Sequence, residues 1–206
     1  AVKNFFLILF YKFFKPSKYI KKKIFNYQML LDPHDKGISR TLILFGHREL
    51  DHKIILDMVL KKGMKIFDIG ANIGYYALME SKIVGPKGKI LAIEPVPKNI
   101  NLLKKNIELN NSTIIDTSES AVSNNTGKKR FIISDHSNLG YLPDKKIKLG
   151  LKKNIVIKTL AINEIIKEKF FPDFIRMDVE GHEVFILDNL GSLKIKKKPI
   201  ICFETH

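Results

Sequence analysis

The loop Asp68-Ile69-Gly70-Ala71-Asn72-Ile73-Gly74 constrains this chain more than any other stretch. It joins a short apolar run, Lys65 to Ile69, to a segment with helical patterning that extends to Val84. Strand, tight glycine turn and helix form the opening unit of a nucleotide-binding α/β fold. Gly70 lets the chain turn sharply at the strand's end and lets backbone approach a ligand, while Gly74 lets the following helix pack closely.

The unit repeats. Lys89 to Glu94 reads as a second strand, Pro97 to Asn110 as a helix with Ile100, Leu103 and Ile107 on one face, and Thr113 to Thr117 as a third strand. Further on come helix 160–169, strand Phe174 to Asp178, helix Glu183 to Leu190 and strand Pro199 to Glu204; upstream, a helix from Glu49 to Lys62 ends at Gly63. Arg130 to Ile133 and Asn154 to Lys158 break the alternation as an antiparallel excursion around a polar loop holding Asn138, Gly140, Tyr141 and Pro143. The expected fold class is α/β, a Rossmann-like, mostly parallel sheet with helices on its faces.

A dinucleotide-binding loop needs Gly-x-Gly-x-x-Gly around a pyrophosphate. This loop carries Asn72 where the second glycine belongs, and Asp68 just ahead of the turn repels a pyrophosphate. The acid suits a positively charged ligand with an amino-acid portion, such as S-adenosylmethionine, whose ammonium it can reach directly or through water. Glu94 closes the second strand 24 residues after Gly70, where an acid accepts hydrogen bonds from ribose hydroxyls. Ser120 and Ala121, past the third strand, are expected to flank the adenine. The cofactor-binding candidates are therefore Asp68, Gly70, Asn72, Gly74, Glu94, Ser120 and Ala121.

Three stretches between Asp32 and His206 resemble the FkbM family of methyltransferases. They are Asp32-Pro33 with Gly37 to Arg40 and Gly46 to Glu49; Phe67 to Leu78 with Glu94-Pro95 and Pro97; and Asp173 to Glu183, which contains Asp178-Val179-Glu180-Gly181-His182-Glu183. The last is the most specific. The resemblance implies a class I methyltransferase sheet and O-methyl transfer to hydroxyls of sugars or small natural products. Two positions depart from the family pattern: Ala161 follows Thr159-Leu160 where an acid is common, and Arg48 stands where an aromatic residue is more usual.

Transfer to a hydroxyl needs a base near the acceptor oxygen, and histidine titrates close to neutrality. His182 is the candidate base, with an exposed first-turn histidine as the alternative, and Asp178 at the strand end is the candidate for positioning acceptor or cofactor. Glu180 and Glu183 suit the N-terminus of the following helix through its dipole. Glu204 and His206 sit at the same edge of the sheet. Carboxylates and imidazole together attract divalent cations, but these residues do not supply a complete ligand set, and no metal is expected.

The net charge is +15, of which the first 62 residues carry 13 basic and 5 acidic side chains, or +8. Nucleic acid, an anionic membrane or compositional drift toward lysine would each account for it. An amino-nitrogen methyltransferase acting on nucleic acid would usually carry Asn or Asp, then Pro-Pro and an aromatic residue, where this chain has Asp178-Val179-Glu180-Gly181. That reading stands as the alternative, together with a non-catalytic, membrane-associated nucleotide-fold binding module. Residues 1–30 read as a basic and aromatic appendage, either an interfacial segment touching anionic lipid or a helix packed on the domain, and 31–206 as the methyltransferase domain. No apolar run is long enough to span a bilayer. The single cysteine, Cys202, suits a reducing compartment, and the cytoplasm is the expected location, with peripheral membrane contact through residues 1–25. The chain starts with Ala1 and stops after its fifth core strand, without the last two strands of such sheets, so a fragment with an exposed edge at Ile200 to Phe203 is expected.

Overall fold

Alternation at period two begins earlier than the sequence suggests. Ile24, Tyr27, Met29 and Leu31 are the buried residues of an antiparallel hairpin, β1 (Ile20–Ile24) and β2 (Tyr27–Leu31), with Ile20 opposite Leu31 and Ile24 opposite Tyr27. The structure, a computed structural model, describes residues 16–134, 136–137, 140–143, 153–191 and 198–204. Asn138 of the polar loop, His206 and residues 1–15 of the N-terminal segment lie outside the described residues. Over Ile20–Ile24 a strand stands where a packed helix was one of the two expectations. The physical reason is Lys22, an inward position filled by a lysine, whose stem lies along apolar surface while Nζ donates to the Ile43 carbonyl at 2.6 Å. Three lysines in a row hide the alternation.

Two helices follow, α1 (Ile38–Phe45) and α2 (Leu50–Val59), and then the repeating units: β3 (Lys65–Ile69), α3 (Tyr75–Val84), β4 (Lys89–Ile93), α4 (Pro97–Leu109) and β5 (Ile115–Ser118). The chain continues through β6 (Ala121–Ser123), β7 (Gly127–Ile132), β8 (Asn154–Ala161), α5 (Ile162–Glu168), β9 (Phe174–Met177), α6 (Glu183–Gly191) and β10 (Ile200–Phe203). The central sheet has the order β10-β9-β3-β4-β5 and every neighbouring pair is parallel. From β3 the chain builds outward to β4 and β5, then returns to lay β9 on the other side. That reversal opens a crevice beyond the carboxyl ends of β3, β4 and β9, where α/β sheets take their ligands.

Both faces of the sheet are covered, so its inner strands are apolar in both directions. Ile66, Ile90, Ala92 and Phe174 pack on α1 to α4 and the hairpin; Phe67, Ile69, Leu91, Ile93, Ile175 and Met177 pack against α5, α6 and Val122. A smaller sheet, β6-β8-β7, stands beside the crevice. Its antiparallel pair β7 and β8 runs from Gly127 opposite Thr159 to Ile132 opposite Asn154, the excursion expected from sequence. Among the described residues, no helix is long and apolar enough to cross a membrane.

Candidate active site

At the end of β3 the backbone is stitched to both neighbouring strands. Gly70 and Ala71 donate their amides to the Ile93 carbonyl at 2.9 and 3.0 Å, and Asp178 donates its own to the Ile69 carbonyl at 3.1 Å. Gly70 has φ of 81°, and a Cβ there would lie 2.1 Å from the Asp178 carbonyl oxygen, so only glycine allows β3 to turn under β9. Gly74 opens α3 in the same left-handed region, where a Cβ would strike Leu103 of α4 at 2.5 Å. Its task is helix packing, and it does not line the cavity.

The crevice is walled on one side by Gly70, Asn72, Glu94 and Val96, on another by Ser120, Ala121, Phe131 and Leu142, and on a third by Asp178, Val179, Glu180 and His182. Glu94 directly follows β4 and is almost wholly buried. Its carboxylate accepts hydrogen bonds from the Asn72 and Val96 amides, both at 3.0 Å, and from Asn99 Nδ2 at 3.2 Å. Burial pushes this carboxyl up to about 7, against the pull of the three donors. Asn72 donates through Nδ2 to the Ser137 carbonyl at 2.8 Å, while its buried Oδ1 has no hydrogen-bond partner. Ser120 is buried, with its hydroxyl 2.9 Å from that of Ser118.

His182 is buried rather than exposed in the first turn. Its Nε2 lies 3.0 Å from Ser123 Oγ on β6, which also accepts from Lys129 Nζ at 2.8 Å, and its ring rests against Phe185. Glu183 accepts the Val179 amide at 3.0 Å and so ties down the turn before α6. Glu180, with φ of 52°, lines the cavity. Glu204 does not line this cavity but an adjoining hollow that it shares with Asp178, Arg176 and Tyr76; it is 3.5 Å from His52 Nε2, and with Glu49 these groups bring one potential cation ligand each within 4.8 Å of one another. Glu49 and His52 are also held by the Tyr76 hydroxyl.

Asp68 differs most from its sequence reading. It is fully buried beneath the crevice, does not line it, and its Oδ1 accepts from Arg176 Nη1 at 2.9 Å. A charge so placed cannot reach a ligand in the cavity directly. Arg176, Arg48, Tyr75 and Tyr76 do line the cavity and were not among the candidates. For Arg176 a signal existed: it is the one charged residue inside the buried run Phe174 to Met177, as Asp68 is inside Ile66 to Ile69.

The polar wall carries acceptors, the orphaned Asn72 Oδ1 and the carboxyl groups of Glu94, Asp178 and Glu180, alongside Arg48 and Arg176. Beside them lies an apolar slot of Val96, Ala121, Val122, Phe131 and Leu142. That set fits a cationic ligand with hydroxyls, an ammonium and a flat ring, and S-adenosylmethionine has all of these.

Residues 68–206 match the sequence family described as Methyltransferase FkbM domain. The hexuronic acid methyltransferase AglP of Haloferax volcanii is 28% identical over 143 residues, covering 68% of this chain and 55% of that protein. Two protein-L-isoaspartate O-methyltransferases are also similar: that of Methanococcus maripaludis at 28% over 93 residues (44% of this chain, 41% of that protein), and that of Methanothrix thermoacetophila at 33% over 49 residues (24% and 23%). The chain thus spans between 23% and 55% of the length of these curated relatives. Among solved structures, a precorrin-6y C5,15-methyltransferase from Geobacter metallireducens is similar at a TM-score of 0.46 and 14% identity, over 74% of this chain and 60% of that one.

Proposed function

The chain belongs to the FkbM methyltransferase family and works with S-adenosylmethionine, and on that premise we propose that it is an O-methyltransferase acting on a hydroxyl of a sugar, glycan or small metabolite. The observation that carries this reading is that Asp178 and His182 line the same cavity as Gly70, Asn72 and Glu94. A candidate base and a carboxyl group therefore share one cavity with the cofactor-type wall. The rest of the lining supports a sugar, since Arg48, Asp178 and Glu180 suit its hydroxyls. The similarity to a protein named for hexuronic acid methylation points the same way.

When bound, S-adenosylmethionine supplies an electrophilic methyl group on a sulfonium. Asp178 would accept a hydrogen bond from a hydroxyl beside the reacting one and so aim the reacting oxygen, whose own proton is left for His182. Transfer would form the O–CH3 bond as the sulfonium's S–CH3 bond breaks and S-adenosylhomocysteine leaves, and His182, whose ring is oriented by Ser123, would take the proton of the reacting hydroxyl. Glu94 and Asn72 hold the cofactor by its hydroxyls and donors.

The test is transfer of a radiolabelled methyl group to uronic-acid glycans, neutral sugars, isoaspartyl peptides and RNA, each offered separately. Label in a glycan or sugar is expected, at a rate that His182→Ala lowers by about 100- to 10,000-fold. Label confined to RNA or to the isoaspartyl peptide overturns the sugar reading, and an undiminished rate in the variant removes His182 as the base.

A further inference from the structure

Asp68 and Arg176 are Cα partners in the parallel pairing of β3 with β9, and both point to the sheet face covered by α2 and α3. Side chains two residues apart in a strand share a face, so Arg176 and Asp178 lie on one side of the chain. Arg176 is 5% exposed, and its guanidinium is fixed in three directions. Nη1 donates to Asp68 Oδ1 at 2.9 Å, Nη2 to Asp178 Oδ2 at 3.4 Å, and the plane lies under the Tyr76 ring with its carbon 3.8 Å from the centroid. We infer that Arg176 is a positioning residue for methyl transfer, a buried fork anchored on Asp68 that sets the Asp178 carboxylate in its working orientation. The inference rests on the reading above in which Asp178 aims the acceptor hydroxyl.

Stability alone does not account for this arrangement. Burying an ion pair costs desolvation that Coulomb attraction at best roughly offsets, and well-packed apolar residues of similar volume serve as well or better. The surroundings make it costlier. Glu80 of α3 is fully buried beside the pair, neither of its oxygens has a hydrogen-bond partner, and Asp68 Oδ2 has none either. Burial pushes the Glu80 carboxyl well above its ordinary range, with the Asp68 charge adding to the push. Arg176 is the cation that Asp68 and Asp178 share. A planar fork divides two carboxylates at fixed angles; a lysine, a point charge on a flexible stem, does not. The product of the arrangement is geometric, a carboxylate at the strand end whose direction is set from below.

The experiment is a double-mutant cycle on kcat in the full chain with saturating S-adenosylmethionine. Arg176→Gln is expected to lower kcat by about 30- to 100-fold while the cofactor Kd stays within about twofold, and Arg176→Lys to recover only part of the loss. In an Asp178→Asn background the same change should cost no more than about threefold, because the group it positions is already gone. Equal losses in both backgrounds would show that Arg176 acts independently of Asp178 and overturn the inference. Full activity of Asp178→Asn alone would instead overturn the role given to Asp178, and the inference with it. Should Arg176→Gln fail to fold, Arg176→Lys, which keeps a cation against Asp68, runs the same cycle and is read by the same two outcomes.

Discussion

Glu94 holds two demands that oppose each other. A carboxylate that accepts ribose hydroxyls works best ionised, yet its burial raises its carboxyl to about 7. The sign follows from linkage. With the folded value above that of the unfolded chain, the stabilising contribution of the protonated form is complete below the ordinary carboxylate range and is lost as pH rises through about 7. The ligand-free protein should therefore lose roughly 3 kcal/mol between pH 5 and pH 8 on account of this group, and Glu94→Gln should flatten that part of the profile. Cofactor binding should run the other way, tightening as pH rises from 6 to 8, with Glu94→Ala weakening it by about 1 to 3 kcal/mol. Urea denaturation and calorimetry across this range check both slopes; parallel profiles for wild type and glutamine variant would refute the assignment. Gly70, Asn72 and Glu94 could be placed on the cavity wall from sequence because a glycine turn and a strand-end acid are local signals. Asp68 could not. A charge inside a buried strand reads the same whether it faces a ligand or another strand, and its partner Arg176 lies 108 residues away.

At the scale of elements, units with a clear apolar pattern are legible even when they are as short as β5, β9 and β10, and units without one are not. The helix read as Ile73 to Val84 forms from Tyr75, since Asn72 and Gly74 take the left-handed region and delay it. The helix read from residue 160 starts at Ile162, because β8 runs on to Ala161 to pair with β6. The eight residues of α1 gave no reading, and the β1–β2 hairpin was hidden by its lysines. What fastens that hairpin is also non-local. Asn106 of α4, fully buried, acts as a surrogate strand: its Oδ1 accepts the Leu30 amide at 2.7 Å, and its Nδ2 donates to the carbonyls of Ile73 at 2.9 Å and Leu30 at 3.3 Å. One asparagine thereby joins the hairpin to the glycine loop between β3 and α3. Asn106→Ala strands an amide and two carbonyls in the interior, so it should lower stability by about 2 to 4 kcal/mol. Asn110→Ala breaks a similar but exposed pair of bonds to Gln28 and should cost well under 1 kcal/mol, since water replaces them. Equal denaturation midpoints for the two variants would mean that the hairpin is held by its apolar face alone.

For the whole molecule, the sheet order that creates the crevice also decides which strands are left at the margins. Beyond β10 no strand pairs among the described residues, and its Ile200 and Phe203 are 48% and 43% exposed. Beside it, α2 turns Leu50, Ile54 and Met58, one helical stripe, toward solvent, with Met58 77% exposed. A free strand edge next to an apolar stripe is a template for association. Opposing it is the net charge of +15, which keeps copies apart at low ionic strength. The two forces respond oppositely to salt. Screening weakens the repulsion, with a Debye length falling from about 30 Å at 0.01 M to about 10 Å at 0.1 M, and leaves apolar burial intact. The 206-residue chain should therefore self-associate more strongly as salt is raised, the reverse of an assembly held by ion pairs. Ile200→Lys together with Met58→Lys should abolish this by charging both surfaces, without touching the cavity. Light scattering and sedimentation at two salt concentrations decide it: a chain that stays monomeric at high salt, or a double variant that associates as the wild type does, would show that this margin is not where copies meet.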